Sequence, residues 1–144
     1  MEKNEVVAHV IMEQTADPCA VNIRDFNKNG MTYDECFEFI HTAYDEHTDH
    51  GWCHVISNAM IVTAALLYGE GDFGKSICMA VQTAFDTDCN GATVGSILGM
   101  RGGIDCIDDY WKKPINNKIH TSIFGVGTVN IEDAVDKTME HVEF

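Results

Sequence analysis

The chain has 144 residues, with 23 acidic side chains against 9 Lys and Arg and a net charge of −14. That balance excludes a direct nucleic-acid surface, because gripping a phosphate backbone takes Lys and Arg, and it means that an anionic ligand would have to be met through a metal ion. The length suits one domain with one substantial core. The six cysteines form no C-x-x-C pair and show no disulfide-like spacing, and the sequence has no secretory leader or membrane-length apolar run. They read as reduced thiols of a cytoplasmic protein.

In chain order, Val6, Val7, Val10 and Ile11 recur at helical spacing and predict an amphipathic helix over the first dozen residues. Asp17-Pro18 reads as a cap and first-turn proline opening a short helix through Ile23 and Phe26, closed at Asn27-Lys28-Asn29-Gly30. Thr32 and Glu35 have the spacing of a capping box, behind which Phe37, Ile40, His41 and Tyr44 mark one helix face. His47, His50, Trp52, Cys53 and His54 are the densest His/Cys run in the chain. Their spacing gives neither paired Cys ligands nor two imidazoles on one helix face, which argues against a zinc site within the run.

From Cys53 to Tyr68 the residues are apolar almost all round, as a helix in the middle of a domain should be. His54 and Asn58 share one face of it, where they either satisfy each other or reach into a polar cleft. Gly69-Glu70-Gly71-Asp72 is a turn, and Asp72 caps a helix whose core face carries Phe73, Ile77, Ala80, Val81 and Ala84. A further helix repeats glycine at 91, 95 and 99. Each such glycine costs a helix about 1 kcal/mol against alanine, so three in register point to close approach by a neighbouring helix. Beyond Arg101-Gly102-Gly103, residues Ile104 to Trp111 make a short helix that Pro114 stops. Thr121 to Val129 reads as irregular or weakly extended, and Asn130 caps a closing helix through Ala134, Val135, Met139 and Val142. The expected fold is one all-α domain over residues 1–144.

The organising stretch is Asp86-Thr87-Asp88-Cys89-Asn90-Gly91, at the junction of two of these helices. Alternate carboxylates at a helix start either cap it or gather a hard cation where unpaired N–H groups and the helix dipole favour negative charge. A calcium loop is a sharper alternative, since Asp86, Asp88, Asn90 and Gly91 fall in the first, third, fifth and sixth places of an EF-hand, as do Asp25, Asn27, Asn29 and Gly30. Both runs fail at the twelfth place, which needs a bidentate glutamate and holds Ile97 or Cys36.

The runs His54 to Ala59, Leu66 to Phe73 and Phe85 to Gly99, with Trp111, Pro114, Asn116 and Thr121 following in order, closely resemble the carboxy-terminal part of the ADP-ribosylglycohydrolase family, in a branch carrying D-T-D-C-N. The resemblance implies an all-α fold, a cleft for an ADP-ribose-containing substrate, and a pair of Mg2+ ions that orient the terminal ribose so that water can replace the group at its anomeric carbon. It implies Asp86 and Asp88 as metal ligands, Cys89 where a Ser or Thr hydroxyl usually ligates, and His54, Asn58 and Asn90 as substrate-facing residues. No general base is marked. The family's amino-terminal Ser/Thr-Asp-Asp motif has no counterpart, because Asp108-Asp109 follows Ile107 and lies after the D-T-D. The chain is therefore expected to be the carboxy-terminal half of such a protein, with an incomplete metal site, weak Mg2+ binding and self-association through surface left by the missing half. The competing expectation is a non-catalytic binding module of the same fold, with neither a nucleic acid nor a membrane as partner.

Overall fold

The computed structural model describes residues 18–49 and 51–142, so His50 and the helix expected over the first dozen residues lie outside the described residues. The fold is all-α, with one small two-stranded ladder among the described residues. It divides into two compact units, one ending at Cys106 and one starting at Ile107.

Among the described residues the first unit holds five α-helices: α1 (Pro18–Lys28), α2 (Tyr33–Ala43), α3 (Val55–Tyr68), α4 (Phe73–Gln82) and α5 (Thr87–Gly102). Short-range chemistry sets most of their ends. Helix α1 closes on a Schellman motif: Gly30 takes φ +80°, the Met31 N–H donates to the Phe26 carbonyl at 3.0 Å and the Gly30 N–H to Asn27 at 3.2 Å. Thr32 and Glu35 form the expected capping box at the start of α2, with Glu35 N–H donating to Thr32 Oγ1 and Thr32 N–H donating to Glu35 Oε2. Those bonds from the Thr32 backbone and hydroxyl hold the Glu35 carboxyl below the usual range. Asp72 caps α4 by accepting from Lys75 N–H at 2.7 Å.

Helix α3 is the centre of this unit. Every residue from Met60 to Leu66 is buried, as the all-round apolar sequence requires. Against it pack Ile23 of α1, Cys36, Phe37 and Ile40 of α2, Ala80 of α4, and Val94 and Leu98 of α5. Burial pushes the Cys36 thiol up to about 11, which makes it an inert core group. Two tyrosine hydroxyls tie loops and helix ends across the core: Tyr68 Oη donates to Met31 O at 2.9 Å and Tyr33 Oη to Met79 O at 3.2 Å.

The glycine repeat of α5 faces α4. A Cβ at Gly91 would stand 3.0 Å from Val81 Cγ2, and one at Gly95 would stand 3.3 Å from Ile77 Cδ1. Branched side chains of α4 therefore rest directly on the α5 backbone at these two positions, and the helices come closer than two faces bearing side chains could.

The second unit holds α6 (Asp109–Ile115), strands β1 (Lys118–His120) and β2 (Thr128–Asn130), and α7 (Ile131–Met139). The strands pair antiparallel with Ile119 opposite Val129, so part of the segment read as irregular is a true ladder. Thr121 closes the loop by donating both its N–H and its hydroxyl to Gly127 O. The helix expected from Ile104 begins instead as a 3-10 turn over Ile104–Cys106, and α6 starts afresh where Asp108 accepts from Tyr110 N–H at 2.8 Å. Pro114 sits inside the last turn of α6. No residue from Ile107 to Val142 is buried.

Candidate functional site

The chain reaches Asp86 by an unusual path. Helix α4 stops at Gln82, and Ala84 and Phe85 both adopt left-handed backbone conformations, with φ of +66° and +58°. For residues with a Cβ this costs about 1–2 kcal/mol each. The conformation is held at Phe85, which is buried and lies over the His41 ring with centroids 4.8 Å apart. The His41 ring is itself fixed by Glu46, whose Oε2 lies 3.0 Å from Nδ1. Burial pushes the Glu46 carboxyl upward, but hydrogen bonds from its own backbone N–H and from His41, with the charges of His41 and His47, bring it below the usual range. Ala84, expected on the core face of α4, is exposed because the helix has already ended.

The reversal turns the Asp86 side chain into the protein, where it is 8% exposed. Asp86 occupies the N-cap position of α5 and its carbonyl accepts the first intrahelical bond, from Asn90 N–H at 2.9 Å, but its carboxylate makes no cap bond. It accepts from Asn58 Nδ2 of α3 at 3.0 Å and from the Cys89 thiol. Asn58 Oδ1 in turn accepts from the buried Asn90 amide at 3.3 Å. A polar chain of Asn90, Asn58, Asp86 and Cys89 thus links the middle of the fold to the start of α5.

Asp86, Asp88 and Cys89 bring their carboxylate oxygens and thiol within 4.8 Å of one another, Asp86 buried and the other two exposed. Among the described residues this is the one group of three or more His, Cys, Asp or Glu side chains so placed. Asp88 also stands in the first turn of α5, where the helix dipole favours its negative charge. The Cys89 thiol is pushed above its ordinary value, first by its hydrogen bond to Asp86 and that carboxylate's charge, then by burial and by the charges of Asp88 and Cys53. Asn90 and Gly91 lie inside α5, so the run does not form a calcium-binding loop.

His54 and Asn58 each find a partner of their own. His54 is the N-cap of α3, its Nδ1 accepting from Ile56 N–H at 3.3 Å, and its ring stacks on Tyr44 at 6.1 Å. Two contributors were not read as parts of this site: Phe85 and His41, which hold the reversal. His41 was read only as part of one helix face and Phe85 only as the start of the run from Phe85 to Gly99.

Compared with known proteins, residues 3–142 match a family model described as ADP-ribosylglycohydrolase. No curated protein matches, and no solved structure does.

Two consequences follow from the geometry. Ala84→Gly should raise stability by about 0.5–1 kcal/mol, since it removes the left-handed penalty and only part of that gain is returned to the freer unfolded chain; a lowered urea midpoint would contradict the backbone account. Asp86→Asn removes the two largest causes of the raised Cys89 pKa, so more thiolate is present at any pH below that pKa. Peptide-resolved alkylation should then find Cys89 reacting faster in the variant between pH 7 and 8, a window in which the native thiol is largely protonated, while an unchanged rate would refute the bond.

Proposed function

The chain belongs to the ADP-ribosylglycohydrolase family, and from that premise we propose that it serves metal-assisted hydrolysis of an N- or O-glycosidic bond to ADP-ribose. The observation that carries this reading is that Asp86 stands at a helix N-cap and does not cap it. A carboxylate whose only task was to end a coil would accept from the second or third amide of α5. Instead it is drawn inside by Asn58, next to Asp88, at the N-terminal end of a helix whose dipole keeps both carboxylates ionised and available to a cation.

The two carboxylates fit a divalent cation that prefers carboxylate oxygen and water, and such an ion would let an acidic protein hold a diphosphate. Bound there, Mg2+ would supply Lewis acidity toward the ribose and its attacking water. Asp86 and Asp88 would hold it. Asn58 would orient Asp86 and Asn90 would hold Asn58 in turn, while half-exposed His54 at the start of α3 would face the substrate. Cys89 does not fit Mg2+, because a thiol is a soft donor.

Two carboxylates fill only part of an octahedral shell, and the sequence contains no Ser/Thr-Asp-Asp triplet to add to them. The remaining oxygens come from water or from residues outside this sequence, which corresponds to the carboxy-terminal portion of the family architecture. Alone it binds Mg2+ weakly and turns over slowly at best, in a reducing, cytoplasmic setting. The second unit, with no buried residue among those described and with Ile123 and Phe124 open to solvent, supports self-association. Sedimentation should accordingly report a concentration-dependent mass; a monomer at all concentrations removes that part of the reading.

The metal assignment is tested by melting the chain with and without millimolar Mg2+. A small upward shift is expected in the native chain and none in Asp86→Ala or Asp88→Ala, with ADP-ribose release near background throughout. A shift that survives both substitutions would leave the carboxylates as packing groups of a non-catalytic module, and brisk turnover would overturn the incomplete-site reading.

A further inference from the structure

Resting on the self-association given for the second unit, we infer that its β1–β2 hairpin docks on the acidic face of α2 in a second copy of this chain. Charge is segregated along the sequence in a way that pairs these two surfaces. From Tyr110 to Asn130 there is no acidic residue, while Lys112, Lys113 and Lys118 are present with His120. From Asn29 to Gly74 there is no Lys or Arg, while Asp34, Glu35, Glu38, Asp45 and Asp49 all fall there and are exposed. Each stretch therefore offers what the other lacks.

The hairpin does not cover its own apolar side chains. Ile115, Ile119, Ile123, Phe124 and Val126 are exposed, Phe124 fully, and a two-stranded ladder of three-residue strands is marginal in water without something packed on it. Apolar surface rimmed by charge marks a contact with another molecule. Lys112 and Lys113 share the Asp109 carboxylate at 3.6 and 3.0 Å, so one negative charge is set against two positive ones, and exposed pairs of this kind are weak enough to be exchanged. On the receiving side, Asp34 and Glu38 lie four residues apart on the part of α2 turned away from buried Cys36, Phe37 and Ile40. Asp45 and Asp49 follow that helix, and the exposed ring of Trp52 comes shortly after them. Repulsion between two copies of net charge −14 is screened beyond about 8–10 Å at physiological salt, so the local pairing decides. An anionic bilayer would take the hairpin and leave the acidic face unmatched; a second copy matches both.

The test is sedimentation of the full chain, kept reduced, over a range of concentrations at low and high salt. Native protein should associate at low salt and do so about tenfold more weakly as salt rises from roughly 0.05 to 0.5 M. Asp34→Asn with Glu38→Lys, and separately Lys113→Glu with Lys118→Glu, should each weaken association by roughly tenfold or more. An equimolar mixture of the two variants should regain it, because each keeps the surface that the other needs. Phe124→Ser should lose association at any salt. All these positions are exposed, so far-UV circular dichroism should not change. A mixture that stays monomeric overturns the pairing. Association that ignores both charge variants and is lost only in Phe124→Ser overturns the assignment to α2 and leaves self-association standing. A native chain that is monomeric at every concentration overturns both, and its capture by phosphatidylserine vesicles through Lys118 and Phe124 would give the hairpin to a lipid surface. No readout here involves Asp86 or Asp88, so the metal assignment stands or falls separately.

Discussion

The hydrogen bond from the Asn58 amide to the Asp86 carboxylate, 3.0 Å long and partly buried, is the constraint on which the site depends. A bond to a charged acceptor contributes roughly 1.5–3 kcal/mol, and burying a phenylalanine contributes about 1.5–3 kcal/mol more. Together these offset the roughly 2–4 kcal/mol that two successive left-handed residues, Ala84 and Phe85, cost on the way into α5. Without the inward pull on Asp86, its carboxylate would have the ordinary option of capping α5 and the reversal would lose its purpose. Strain of this kind persists where the surroundings over-determine it, and here Asn58 on one side and His41 on the other do so.

The same small region is stiffened from below. Helix α3 supplies a fully buried floor from Met60 to Leu66, and Asn58 projects from its first turns. Helices α4 and α5 meet where Ile77 and Val81 rest on Gly95 and Gly91, so the two segments joined by the reversal cannot slide past each other without losing that fit. The cost of glycine in a helix is thereby converted into a fixed position for Asp86, Asp88 and Cys89. Asp88 and Cys89 lie exposed beside the buried Asp86.

Much of this was legible from the sequence because it is local. The capping box at Thr32, the cap at Asp72, the end of α1 at Gly30 and the all-round burial of α3 from Met60 to Leu66 each depend on residues within one or two turns, where side-chain chemistry and spacing are decisive. The Asp86, Asp88 and Cys89 grouping was legible for the same reason, being a single turn of one helix. What was not legible is tertiary. Nothing in Thr83-Ala84-Phe85 announces left-handed backbone, and apolar periodicity ran on through Ala84, so the early end of α4 was hidden. Asn58 reaches a residue 28 positions away, a partnership that no spacing rule anticipates. The β1–β2 ladder was missed because three-residue strands around Gly125 and Gly127 carry too little alternation to register.

The account rests on Asn58 and Asp86 acting as a pair, and a double-mutant cycle measures that directly. Unfolding free energies of the native chain, Asn58→Ala, Asp86→Ala and the double variant give a coupling term free of each residue's separate packing. The account predicts a favourable coupling of about 1.5–3 kcal/mol. Single substitutions that simply add, with a coupling below roughly 0.3–0.5 kcal/mol, would contradict it.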